Sequence, residues 1–123
     1  MPLARLDHFT IRCADLERTR EFYRDVLGLV DGARPAFGFP GAWLYLEDRP
    51  VVHLIGGPDP NLPRETGHVD HVAFAASGLE RIREKLRGGN IDFEERRIPG
   101  AKITQLFLHD PDGIAIELNF TGE

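Results

Sequence analysis

Leu6-Asp7-His8-Phe9-Thr10-Ile11 recurs in character as Val69-Asp70-His71-Val72-Ala73-Phe74, 63 positions further along (8 to 71). Each stretch reads as a buried strand with an Asp-His pair near its start. Self-similarity at a fixed offset is the mark of a repeated structural unit, so the chain is read as two copies of one plan.

Working outward from each strand, the copies continue to match. Asp15 is placed to cap a helix whose inward face is Leu16, Thr19, Phe22, Tyr23, Val26 and Leu27, with Gly28 to end it. In the second copy Ser77 and Glu80 have the capping-box spacing, Leu79, Ile82 and Leu86 form the apolar stripe, and Gly88-Gly89 is the stop. Three strand-like runs follow each helix: roughly 29–33, 42–46 and 51–55, then 91–98, 103–108 and 114–120. The order is βαβββ twice, an α+β chain. The units span about 5–56 and 68–120 and are joined by a proline-rich linker at 57–67. Asp110-Pro111-Asp112-Gly113 reads as the turn of the last hairpin, with Pro and Gly each at a position that a turn favours.

A length of 123 residues suits a single domain, and 41% hydrophobic with 28% charged residues suits a water-soluble one. No apolar run approaches the roughly 20 residues of a membrane span. The first residues lack a signal-peptide pattern, which predicts a cytoplasmic protein. A net charge of −5 and the lack of a basic patch argue against nucleic acid and leave a small molecule as the expected partner. Cys13 is the only cysteine, so an intrachain disulfide is excluded, and its apolar setting reads as packing.

His53 lies in Val51-Val52-His53-Leu54-Ile55 and Glu117 in Ile114-Ala115-Ile116-Glu117-Leu118, each a polar residue inside a run that otherwise wants burial. They are 64 positions apart (53 to 117), nearly the offset between His8 and His71. A pseudo-twofold axis between the copies would bring all four to one point. A lone histidine in a strand is usually a hydrogen-bonded core residue; pairing at the repeat offset is what marks these as ligands. Burying an ionised Glu117 costs several kcal/mol unless a cation, a proton or an arginine offsets it. A divalent ion is the simplest partner, and a set of nitrogen and oxygen donors without thiolate suits Zn, Fe(II), Mn, Ni or Co. His68 and His109 lie beside turn-like segments and are expected to be exposed. Phe37, Phe39, Trp43 and Tyr45 surround a Gly/Pro-rich loop and are candidates for a cleft wall, the alternative being a packed loop at a subunit contact.

The stretch from Leu6 to Arg12 running into Asp15-Leu16, then Phe22-Tyr23-Arg24-Asp25-Val26-Leu27-Gly28-Leu29, resembles the opening of the glyoxalase, bleomycin resistance and extradiol dioxygenase group, the vicinal oxygen chelate superfamily. Asp110 to Leu118 resembles that group's final hairpin and glutamate ligand. The resemblance implies two tandem βαβββ units forming an incomplete eight-stranded barrel around a metal cleft. It implies metal roles for His8, His71 and Glu117, and for His53 where glyoxalase-like members place a fourth ligand that extradiol dioxygenases usually leave out. Arg12 sits where glyoxalase I has an arginine that holds glutathione, whereas Leu54-Ile55-Gly56-Gly57 departs from that enzyme's glutathione-binding stretch. A homodimer is implied too. The expected function is a metal-dependent glyoxalase-like enzyme with isomerase or lyase chemistry, acting on a small substrate that chelates the metal through vicinal oxygens, with Glu117 as catalytic base. The alternatives are an extradiol-type ring-cleaving dioxygenase and a ligand-sequestering protein of the bleomycin-resistance kind.

Overall fold

The computed structural model of the chain describes residues 5–57, 69 and 71–123. It divides into two compact units, Met1–Leu62 and Pro63–Glu123. The expected linker beyond Gly57, together with Asp70 and His68, lies outside the described residues.

The first unit starts with β1 (Phe9–Arg12) and a helix, α1 (Leu16–Glu21). Asp15 is its cap, as expected: the carboxylate accepts from the Arg18 amide at 3.1 Å. The helix does not run on unchanged to Gly28. Residues Phe22–Val26 widen into a π-helical turn, in which the Leu27 amide donates to the Phe22 carbonyl. Phe22 and Tyr23, adjacent in sequence, are both buried there, and Gly28 leaves the turn at φ 78°, where a Cβ would be strained. Strands β2 (Val30–Gly32), β3 (Gly41–Leu46) and β4 (Arg49–Ile55) complete a four-stranded sheet in the order β1-β4-β3-β2. β1 pairs parallel with β4, and the other pairs are antiparallel.

Alternation decides which side chains this sheet hides. Ile11, Ala42, Leu44, Val52 and Leu54 are buried, and α1 packs on β3 and β4. The intervening residues Thr10, Trp43 and His53 belong to the opposite face and are only partly covered or exposed. Polar ligands can occupy that face without removing anything from the core.

The second unit repeats the plan: β5 (Val72–Ala76), α2 (Leu79–Gly88), β6 (Glu94–Arg97), β7 (Ile103–His109) and β8 (Ala115–Thr121), in sheet order β5-β8-β7-β6. Thr104, Leu106, Leu108, Ile116, Leu118 and Phe120 are buried, while Gln105, Phe107, Glu117 and Asn119 alternate with them. Each unit is therefore an open mixed sheet with one helix, which is the expected α+β βαβββ plan.

The capping box expected at Ser77 is absent. The cap position is Gly78 at φ 78°, and its helix has no local side-chain cap. The carboxylate of Glu123 takes that place, accepting from the amides of Gly78 and Leu79 at 3.0 Å each. A left-handed Gly78 turns the chain so that Ser77 precedes the cap by one residue, and the end of β8 supplies the acceptor instead. No helix among the described residues is long and apolar enough to cross a membrane.

Candidate functional site

Strand register positions the candidate ligand residues. On the exposed face of the first sheet Thr10, His53 and Trp43 form one row across β1, β4 and β3, and Arg12, Ile55 and Gly41 form the next. In the second sheet the corresponding rows are Ala73, Glu117 and Phe107, then Ala75, Asn119 and Gln105. His8 and His71 each stand two residues before the first member of their row, on the same face by strand alternation.

In the first unit the imidazoles of His8 and His53 stack, with ring centroids 3.8 Å apart and planes 10° from parallel. His53 also stacks on Trp43 at 4.1 Å. The Asp7 carboxylate accepts from His8 Nδ1 at 2.7 Å, so this nitrogen carries a proton, and in the neutral ring Nε2 is the one with the lone pair. A carboxylate behind a histidine is the arrangement that orients a metal-ligating imidazole. Nε2 of His53 donates to the Pro50 carbonyl at 3.0 Å, which leaves Nδ1 as its lone-pair nitrogen. Burial, and then the neighbouring His8, hold His53 below its ordinary pKa and favour the neutral ring that a metal requires.

In the second unit His71 Nε2 lies 3.6 Å from Glu117 Oε1. Two donors each about 2.1 Å from a shared ion stand at a spacing of this order, so the pair fits a common metal. The other carboxylate oxygen, Oε2, accepts from Asn119 Nδ2 at 2.7 Å, and Asn119 Oδ1 accepts from Gln105 Nε2 at 3.0 Å. Three polar side chains thus form a directed chain that ends on Glu117. The preceding turn is built as expected: Asp110 Oδ1 accepts from the amides of Asp112 and Ile114 at 2.8 Å each, and Gly113 has φ 86°.

His8 and His53 adjoin in one unit, and His71 and Glu117 in the other. Among the described residues no group of three or more His, Cys, Asp or Glu side chains is gathered for a metal. Imidazole and carboxylate donors of this kind suit a divalent ion. His53 fits less simply, because lone pairs lie in the ring planes and two parallel stacked rings do not aim them at one point.

Beside His53 the first unit has a recess of about 170 Å³ lined by Thr10, Arg34, Phe37, Phe39, Trp43 and His53, with Leu54 and Ile55 completing the wall. Phe37, Phe39 and Trp43 of the expected wall are there. Tyr45 is not: its ring lies across Gly32, where a Cβ would be 2.5 Å from the ring, and its hydroxyl donates to the Ala33 carbonyl at 2.6 Å. Arg12 faces outward with no ion pair among the described residues, and His109 is exposed. Sequence reasoning missed Arg34, Gln105 and Asn119. Gln105 and Asn119 could have been found, since both continue the alternation that carries Glu117; Arg34 gave no signal because a loop delivers it.

The sequence model of the Glyoxalase/Bleomycin resistance protein/Dioxygenase superfamily matches residues 5–118. Glyoxylase I 4 of Arabidopsis thaliana is 32% identical over 123 residues, covering 94% of this chain and 70% of that protein. Lactoylglutathione lyase of Salmonella typhimurium is also 32% identical, over 124 residues, covering 93% of this chain and 90% of the enzyme. The crystal structure of a glyoxalase/dioxygenase from Nostoc punctiforme superposes with a TM-score of 0.78 at 23% identity, covering 99% of this chain and 94% of that one, and bears on the fold alone.

Proposed function

The chain belongs to the glyoxalase, bleomycin resistance protein and dioxygenase superfamily, and from that premise we propose that it is a metal-dependent lyase or isomerase of the glyoxalase kind. Its substrate is a small molecule that chelates one divalent ion through neighbouring oxygens. His8, His53, His71 and Glu117 are the residues that would hold the ion, in a protein expected to act as a homodimer. The observation that supports this reading is the repeated register: Thr10 lies opposite His53 and Ala73 opposite Glu117, so these two candidate ligands take equivalent positions in the two sheets.

A bound ion supplies Lewis-acid polarisation of a substrate carbonyl or hydroxyl. Glu117 is the group that moves the proton. With Oε2 held by Asn119, Oε1 is the oxygen that, when not engaged with the ion, would take a proton from the carbon bearing the hydroxyl and return it to the former carbonyl carbon, while the hydroxyl proton passes to the neighbouring oxygen, which completes an isomerisation.

The reading is tested by elemental analysis of protein purified without a histidine tag or added metal, alongside His8→Ala and Glu117→Ala. About one ion per chain, lost in both variants, supports it. Absence of metal after reconstitution with each candidate ion removes the catalytic site and leaves a ligand-sequestering protein.

One observation favours a second reading. His53 is stacked between His8 and Trp43 and bonded to Pro50, an arrangement suited to a residue outside the metal shell. A three-ligand set of His8, His71 and Glu117 is the extradiol dioxygenase pattern. Fe(II)-dependent ring cleavage of catechols that survives His53→Ala would select it.

A further inference from the structure

We propose that the recess beside His53 is the specificity pocket of the site and that it takes a ring-sized group bearing a carboxylate, gripped by Arg34; this rests on the reading of His53 as part of the reaction site.

Size limits the occupant first. A cavity of about 150 Å³ lined by apolar side chains accepts a benzene ring, and the recess measures about 170 Å³. One six-membered ring with a small substituent fills it. The walls suit a flat group, since Phe37 and Phe39 stack at 5.3 Å, Phe37 tilts toward Trp43 at 6.1 Å, and these faces meet in one hollow.

Charge then limits its chemistry. The chain carries a net charge of −5, yet none of the described side chains lining the recess is acidic. Arg34 enters it with no carboxylate partner among the described residues, unlike Arg20, Arg24 and Arg83, each of which is salt-bridged. Its guanidinium lies 5.0 Å from the ring centroids of both Phe37 and Phe39 and donates once, from Nη2 to the Phe39 carbonyl at 3.1 Å. Four N–H groups of the fork have no acceptor among the described residues, and a guanidinium so braced is set to bind a carboxylate through two of them.

The fold protects this placement. A Cβ on Gly41 would stand 2.7 Å from Arg34 Nη2 and 2.4 Å from the Leu54 carbonyl oxygen, so only glycine leaves room for the guanidinium against the sheet. Arg12 is in the same row of the sheet as Gly41, two strands away. The corresponding row of the second unit holds Ala75, Asn119 and Gln105. One copy of the repeat has become a binding pocket, and the other a support for the catalytic carboxylate.

Trp43 is the only tryptophan and lines the recess, so its fluorescence reports occupancy directly. The test titrates the full-length, metal-depleted protein with benzoate and with benzyl alcohol, a neutral molecule of similar size, and confirms the affinities by calorimetry. The expected result is saturable quenching, with benzoate bound at least about 10-fold more tightly than benzyl alcohol. Arg34→Gln should abolish that preference while Arg24→Gln keeps it, in variants whose circular dichroism matches the parent. If Arg34→Gln does not fold, Arg34→Lys carries the test and should narrow the preference, because a point charge replaces the fork. Equal affinities, a preference that survives at position 34, or no saturable quenching by either ligand would overturn the proposal. Glu117→Ala separates the two readings, since it should lose metal and keep benzoate. Benzoate selectivity in a protein that never binds metal would sink the metal reading alone, and metal binding without any effect of Arg34 would sink the pocket alone.

Discussion

Asn119 donates from Nδ2 to Oε2 of Glu117 at 2.7 Å, two residues away on the same strand and the same face. Its amide cannot be reversed without loss, because Oδ1 already accepts from Gln105. The carboxylate is therefore oriented from a fixed side by groups that are not themselves ligands.

Replacing Asn119 by Leu keeps the branched shape and removes the donor. Groups that orient a metal ligand typically matter by about 10–100-fold in affinity or activity, so Asn119→Leu should weaken metal binding by about 10-fold or more. Competition against a chelating dye measures this. Gln105→Leu should have a smaller effect of the same sign, since it acts one bond further back.

Stability of the metal-free protein should depend on pH through His53. Burial and His8 hold its pKa below the ordinary 6.5 in the folded state, so on acidification the unfolded chain takes up the proton first. The stabilisation is complete above pH 6.5 and declines as the pH falls from there toward the lower folded value. Urea melts at several pH values should show His53→Gln with a flatter profile than the parent between pH 7 and 5. Parallel profiles would contradict this assignment.

Glu123 accepts from two amides that open α2 and places a negative charge at the positive end of the helix. Glu123→Ala should cost about 1 kcal/mol, the usual worth of a lost cap, read from the urea midpoint at unchanged slope. Glu123→Gln should recover part of it by keeping an acceptor without the charge. Ser77→Ala, by contrast, should have little effect.

Gly41→Ala should destabilise by about 1–3 kcal/mol, because its methyl would overlap the Leu54 carbonyl oxygen as well as Arg34. Thermal unfolding checks the stability. Trp43 emission should shift as well, since Arg34 and the two phenylalanines it touches would have to move.

The two-copy plan was legible because it rests on period and offset. Strand alternation and the helical stripe survive in the residues themselves, and the repeated Asp-His pair marks where each copy begins. The position of Glu117 was legible for the same reason: a buried strand has few uses for a carboxylate. The helix start at Ser77 was misread because the capping-box spacing is a local rule, while the acceptor used is 44 residues away in sequence. Tyr45 was misread as cleft wall because period two gives a face and not the direction of a long side chain, which here crosses Gly32 to reach Ala33.

By itself the sequence determined the order of elements and the face of each strand, since these follow from one-dimensional patterns of polarity and spacing, and the same patterns singled out four candidate metal ligands. Only the tertiary structure decided which nitrogen of each first-unit histidine keeps its lone pair, which side chains brace Glu117 and where Arg34 comes to rest. Those depend on hydrogen bonds and ring contacts of a few ångströms between residues from different strands and loops. No local pattern encodes such distances; they exist once strand register has set each row of side chains beside the next.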